Sequence, residues 1–352
     1  MRLVDVFKRV LPLSDNDQYC LELLQGEEEF EEVRRVIKEG KAKFLLQKFN
    51  ISIFQDSDYF QLVSEIPELN ELLIRVNAKL KLNSQKETFD KFAPQAFQTI
   101  RKIISSNISG MITAKNALTL QLASKNDLHI LIFGDNYGMK ALVNNAAYLS
   151  PKSAISHASS VMSNNSLYHA RGGICAVHDL MMMHRLDKTD FHTAMNTGFI
   201  MKDGTRFDTH AKILATITPS GGIETSLDKI RTQLPIPKTL ERFRLVFLGK
   251  KSDEETYKVA IKKEDQEFIH DYINYSQTLK VILSRELEAH IKEFVEAFKK
   301  HEFSFFRDVP HDLADTIVMM SQASARIHLR EEVEPQDIEL AKEIVVEAFK
   351  GN

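Results

Sequence analysis

The sequence predicts an α/β domain built on a mainly parallel sheet, with a helical region after it and a mostly helical stretch before it. Three observations predict this. Four short apolar runs, Leu128–Phe133, Ile174–Val177, Ile213–Ile217 and Arg244–Leu248, have the length of buried strands rather than of helices. Helix-like stretches separate them, which is the βαβ pattern that sets consecutive strands parallel. From 264 to 350 the periodicity is helical throughout.

The elements follow in order. Phe30, Val33 and Ile37 share one face at helical spacing, behind a solvated acidic run from Glu27 to Glu32. Ile66 to Leu80 reads as another helix, with Pro67 in its first turn. Phe44–Leu46 and Ile51–Phe54 read as short strands between them. Lys81–Thr88 is polar and aperiodic, and is a linker candidate. Residues 92–122 read as helix, turn and helix. Residues 199–212 read as a hairpin turning through Lys202-Asp203-Gly204-Thr205, because an Asp-Gly pair supplies the positive φ angles of a tight turn.

Composition narrows the classes. The 352 residues are 43% hydrophobic and 27% charged with a net charge of −3, so nucleic-acid contact requires a local patch rather than a basic surface. Cys20 and Cys175 are too few for a disulfide framework or a zinc site. No apolar run approaches the ~20 residues that span a bilayer, and Met-Arg-Leu-Val-Asp is not a signal-peptide start. The expectation is a cytoplasmic protein, nucleoid-associated in a prokaryote, with no membrane partner.

The chemistry gathers after the predicted strands. Gly134 to Ala141 can be laid on the phosphate-loop pattern G-x-x-x-x-G-K-[ST]. Gly134 and Lys140 fit; Met139 replaces the second glycine, and Ala141 replaces the hydroxyl that would hold magnesium. The second run ends in His178-Asp179, where phosphate-loop ATPases carry acidic residues for magnesium and water. The third ends in Thr218, where a polar residue would position water, and Arg242 precedes the fourth. Cys175-x-x-His178 with His184 lacks the second cysteine pair of a metal site, and no metal is expected. Met181–Met183 and Met319-Met320 read as adaptable core packing, and Lys299-Lys300-His301 as a helix C-terminus.

In order and spacing these stretches resemble the AAA+ core of the minichromosome maintenance (MCM) replicative helicase family, over roughly 92–350. GDNYGMKA at 134–141 is similar to the family's GDPGTAKS, GGICAVHDLMMM at 172–183 to GGVCCIDEFDKM, and ILATITP at 213–219 to ILAAANP. Asp190–Met195 resembles AIHEAM, Leu240–Phe247 resembles LSRFDLIF, and SQASARIHLREEVEPQD at 321–337 resembles SEAHARMRLSEVVTEED. The first 80 residues resemble the family's helical N-terminal subdomain. The implied organisation is a helical domain at 1–85, an AAA+ domain at 92–255 and a helical lid at 256–352.

The resemblance implies a phosphate loop at Gly134, Lys140 and Ala141, and His178 in place of the magnesium-side aspartate. It implies Asp179 in place of the catalytic glutamate, Thr218 in place of the sensor asparagine, and Arg242 at the finger arginine. His311 stands at the lid arginine, and Lys202 lies on the DNA-contacting hairpin. Tyr137 and Met139 replace small residues and are expected to crowd a nucleotide. Asp179 is one methylene short of reaching an attacking water as the glutamate does. Each such electrostatic loss is worth roughly 2–4 kcal/mol of barrier. The expectation is a degenerate member: no cofactor, with ATP and magnesium relevant only under residual activity, and a monomer or weak oligomer. Its partner would be an active MCM helicase subunit or another replication protein, with DNA contact possible. The other readings are a divergent but active ATP-dependent helicase, and a DNA-binding module on an AAA+ scaffold.

Overall fold

A computed structural model describes residues 85–105, 108, 110–125, 127–134, 137–184, 187–202, 205–218, 241–249, 262–300 and 312–350, of which all but the first two residues belong to the compact unit Glu87–Asn352. The sequence readings over residues 1–84 lie outside the described residues. The linker read at Lys81–Thr88 ends earlier than expected, because α1 (Lys86–Ile104) takes up its last residues. Their polarity is that of an exposed first turn, while the buried stripe of α1 begins at Phe89.

α2 (Ile112–Ala123) is buried along nearly its whole length, so it carries no polar face. A helix buried on all sides needs neighbours on all sides. It has them in α3 (Tyr137–Tyr148) and in the C-terminal helices α6 (Lys263–Thr278), α8 (Leu313–Ile327) and α9 (Pro335–Lys350). Its polar side chains bond mostly within the core, although Gln121 Oε1 has no hydrogen-bond partner there. Gln121 Nε2 donates to the carbonyls of Leu128 (2.7 Å) and Ile213 (3.2 Å), and Thr119 Oγ1 donates to Lys115 O (2.8 Å).

The sheet holds β1 (Ile130–Phe133), β2 (Ser153–His157), β3 (Ile174–His178), β6 (Lys212–Ile217) and β7 (Leu245–Leu248) in the order β2-β3-β6-β1-β7, with every pairing parallel. The four apolar runs are β1, β3, β6 and β7. β2 was not predicted. As an edge strand it has mostly exposed positions, so Ser153, Ser156 and His157 replace the apolar run of a central strand. α4 (Ser166–His169) and α5 (Asp187–Thr197) follow β2 and β3 respectively. β4 (Phe199–Lys202) and β5 (Thr205–Asp208) form the expected hairpin, with Lys202 opposite Thr205 across a two-residue turn. Of the methionines assigned to the core, Met183 and Met320 are buried, but Met182 is 62% exposed because it ends a short 3₁₀ turn on the surface.

The C-terminal helices are α6, α7 (Arg285–Phe298), α8 and α9. Buried Asp337 opens α9 as a hub. It accepts both guanidinium nitrogens of Arg330 (2.7 and 2.9 Å), the Ser324 hydroxyl (2.6 Å) and the Glu334 N–H (2.9 Å). A buried carboxylate is tolerated only when paired and hydrogen-bonded this fully.

Lys212, at the start of β6, is fully enclosed and caps the C-terminal end of α2, donating to Ser124 O (2.9 Å) and Leu122 O (3.2 Å). Burial pushes its ammonium down to about 7, with Arg326 adding to the shift. The unfolded chain therefore binds the extra proton between pH 7 and the ordinary lysine range. Stability from this group falls as pH drops through that window, by up to about 1.4 kcal/mol per pH unit. Lys212→Met should remove that slope, so denaturation midpoints of the two proteins measured from pH 7 to 10 should converge or diverge steadily with pH. Parallel curves would show that Lys212 keeps its proton.

Candidate functional site

The site lies at the C-terminal ends of β3, β6 and β1, which are neighbours in the sheet. β3 delivers Asp179 one residue beyond its end. Asp179 has φ 54° and ψ 58°, a left-handed conformation costing a non-glycine residue roughly 1–2 kcal/mol. Its N–H donates to Thr216 Oγ1 on β6 (3.1 Å), which holds the turn.

That turn aims the carboxylate at α3. Lys140, in the first turn of α3, places Nζ 2.7 Å from Asp179 Oδ2. Thr218, just past β6, donates its hydroxyl to Oδ1 (2.9 Å). His157, at the end of β2, brings Nε2 to 3.4 Å from Oδ2. Partial burial alone would raise the carboxyl, but hydrogen bonds from Lys140 and Thr218 outweigh it and hold Asp179 below the usual carboxylate range. Asp179 is thus ionised, with both oxygens engaged. Lys140, Asp179 and Thr218, named separately from the sequence, meet in one network.

His178 stands beside them on β3. Its Nε2 lies 2.8 Å from Asn144 Oδ1 on α3, and its buried Nδ1 has no hydrogen-bond partner. Burial, and then the charge of Lys140, push the imidazole below its ordinary range, so it is neutral at neutral pH. Ala141 sits half-buried on α3 and offers no oxygen. Magnesium requires hard oxygen ligands in near-octahedral array. Here the hydroxyl is absent, one carboxylate position holds a neutral imidazole, and the remaining carboxylate is neutralised by a lysine. The donor set does not fit magnesium.

Met139 corrects an expectation. Instead of crowding a nucleotide it is 1% exposed, its sulfur turned under the loop against Gly134 and Gly249. A Cβ on Gly134 would lie 2.6 Å from the Gly249 carbonyl oxygen, and one on Gly249 would overlap the Met139 sulfur. The large residue at 139 is thus accommodated by two glycines, of which the sequence reading used only Gly134. The side chain of Tyr137 lies outside the described residues.

Other residues singled out by the sequence lie apart. Arg242 is exposed ahead of β7 and forms no ion pair among the described residues. Its neighbour Arg244 is the engaged one, with Nη1 2.6 Å from Asp312 Oδ2 and 3.3 Å from Thr316 Oγ1. His311 lies outside the described residues. Lys202 ends β4, and its side chain also lies outside them. Its hairpin packs on the turn before α4, around a cavity of about 260 Å³ lined by Val161, Tyr168, Ile200 and Phe207 among others. Cys175 is enclosed, its thiol pushed up to about 12 by burial, and no metal-holding cluster occurs among the described residues.

Sequence reasoning missed His157, Asn144 and Gly249. The only signal for His157 was its register opposite His178, which becomes visible once β2 is recognised as a strand.

Residues 267–349 match the MCM AAA-lid domain. No curated protein matches the chain. Among solved structures, a full-length MCM homolog from Methanopyrus kandleri shares the fold at TM-score 0.63 and 18% identity, over 76% of this chain and 62% of that one. The chain thus spans under two thirds of that homolog's length.

Gly249→Ala should destabilise the fold by about 1–3 kcal/mol through overlap with Met139, and Met139→Ala in the same chain should recover part of the loss. Chemical denaturation of the single and double variants measures this; an unperturbed Gly249→Ala would show that Met139 does not pack there. The parallel sheet and its helices thus share the fold of that homolog, and the helices that follow them carry the match to the MCM AAA-lid domain.

Proposed function

We propose that this chain is a degenerate MCM-like AAA+ protein, impaired in nucleotide binding and hydrolysis, that serves as a non-catalytic partner or regulator in DNA replication or maintenance. One observation carries the reading: the lysine at the phosphate position is paired with the carboxylate at the hydrolytic position, beside a neutral His178 and hydroxyl-free Ala141. A triphosphate would have to break that pair without magnesium to offset its charge. The exposed Arg242 leaves a face on which an active MCM subunit could dock, and the Lys202 hairpin leaves room for DNA contact. We propose helical, AAA+ and lid domains at 1–85, 92–255 and 256–352, and a monomer or weak oligomer in the cytoplasm.

A second reading, a divergent but active ATP-dependent helicase, is favoured by the convergence of Lys140, Asp179 and Thr218 at one point. Calorimetry with ATP and magnesium separates the two. The wild type should show no saturable heat, and phosphate release should match the protein-free control with or without DNA. The combined Ala141→Ser, His178→Asp and Asp179→Glu variant should gain magnesium-dependent binding. Since ligand at a hundredfold its Kd stabilises by about 2.7 kcal/mol, that gain should also appear as a raised Tm. Brisk turnover by the wild type would overturn the proposal in favour of the active motor.

A further inference from the structure

The carbonyls that end an α-helix have no partner within it, and must be capped from elsewhere. Two helices of the α/β domain are capped by the same lid helix. At the end of α3, Tyr148 O accepts Gln266 Nε2 (2.9 Å) and lies 2.8 Å from His270 Nε2, both on α6. At the end of α2, Leu122 O accepts Gln277 Nε2 (2.6 Å), also on α6, while Lys212 caps the same turn from β6. Gln266, His270 and Gln277 therefore run along α6 and bind it to two helix ends at once. Beneath them, α8 and α9 cover α2, and α9 covers β7.

A further tie is ionic. Arg244, just before β7, reaches Asp312 and Thr316 at the N-terminus of α8, and its side chain is only 19% exposed. Arg244 N–H also donates to His129 O (3.0 Å), which anchors its backbone beside β1. Asp312 is 43% exposed, so this pair sits at the rim, where it can open without uncovering the core.

We infer that the lid is latched onto the α/β domain by the protein's own side chains, with Arg244–Asp312 as the releasable catch and the α6 caps as the fixed side. The latch does not depend on whether the pocket is inactive. Its elements lie at the domain–lid seam, and none belongs to the Lys140–Asp179 network.

Hydrogen–deuterium exchange on the full chain without nucleotide tests it. In the wild type the amides of α8 should be protected comparably to those of β1. Arg244→Ala and Asp312→Asn should each speed exchange in the first two turns of α8 by about tenfold and leave β1 and β3 unchanged. Asp312→Asn keeps the exposed site nearly isosteric, so it remains informative if Arg244→Ala loosens the whole fold. Unaltered α8 exchange in Asp312→Asn, or α8 amides already unprotected in the wild type, would overturn the inference.

Discussion

The site depends on one charge that cannot be left alone. Asp179 is forced by its left-handed turn to point its carboxylate into a partly buried cleft, where an unpaired anion is costly. Lys140 and Thr218 answer it, one to each oxygen, and His157 adds a third contact. Once that network closes, the lysine is no longer a free cation at the start of a helix. Single substitutions at Ala141 or His178 would leave the pair in place, because neither side chain hydrogen-bonds to the Lys140–Asp179 pair.

The surrounding fold holds the site in place from several sides. α2 is packed on every side and joins the sheet, α3 and the lid into one core. Met139 contributes to that core from the first turn of α3, packed against Gly134 and Gly249. The large residue at that position thus serves packing. The lid adds caps to two helix ends and a bidentate arginine clasp at Asp337.

Much of the architecture was legible because central strands of a parallel sheet are continuous apolar runs, and all four such runs became strands. β2 was not legible, since a half-exposed edge strand carries serines and a histidine where the pattern requires apolar residues. At the site, Lys140, Asp179 and Thr218 could be named because each follows a strand at a recognisable spacing. His157 and Asn144 could not be, because they reach the network through strand register and a helix face. Arg242 and Arg244 show the same limit. The sequence offered two arginines two residues apart, and only the three-dimensional arrangement shows that Arg244 is the one tied to the lid.

The most direct measurement follows the Asp179 carboxyl carbon by NMR through a pH titration, assigned with Asp179→Asn, and repeated with ATP and magnesium present. The account predicts a midpoint below that of an ordinary aspartate, moved upward in Lys140→Met and unmoved by nucleotide. An Asp179 signal that titrates normally, or that shifts when ATP and magnesium are added, would contradict it.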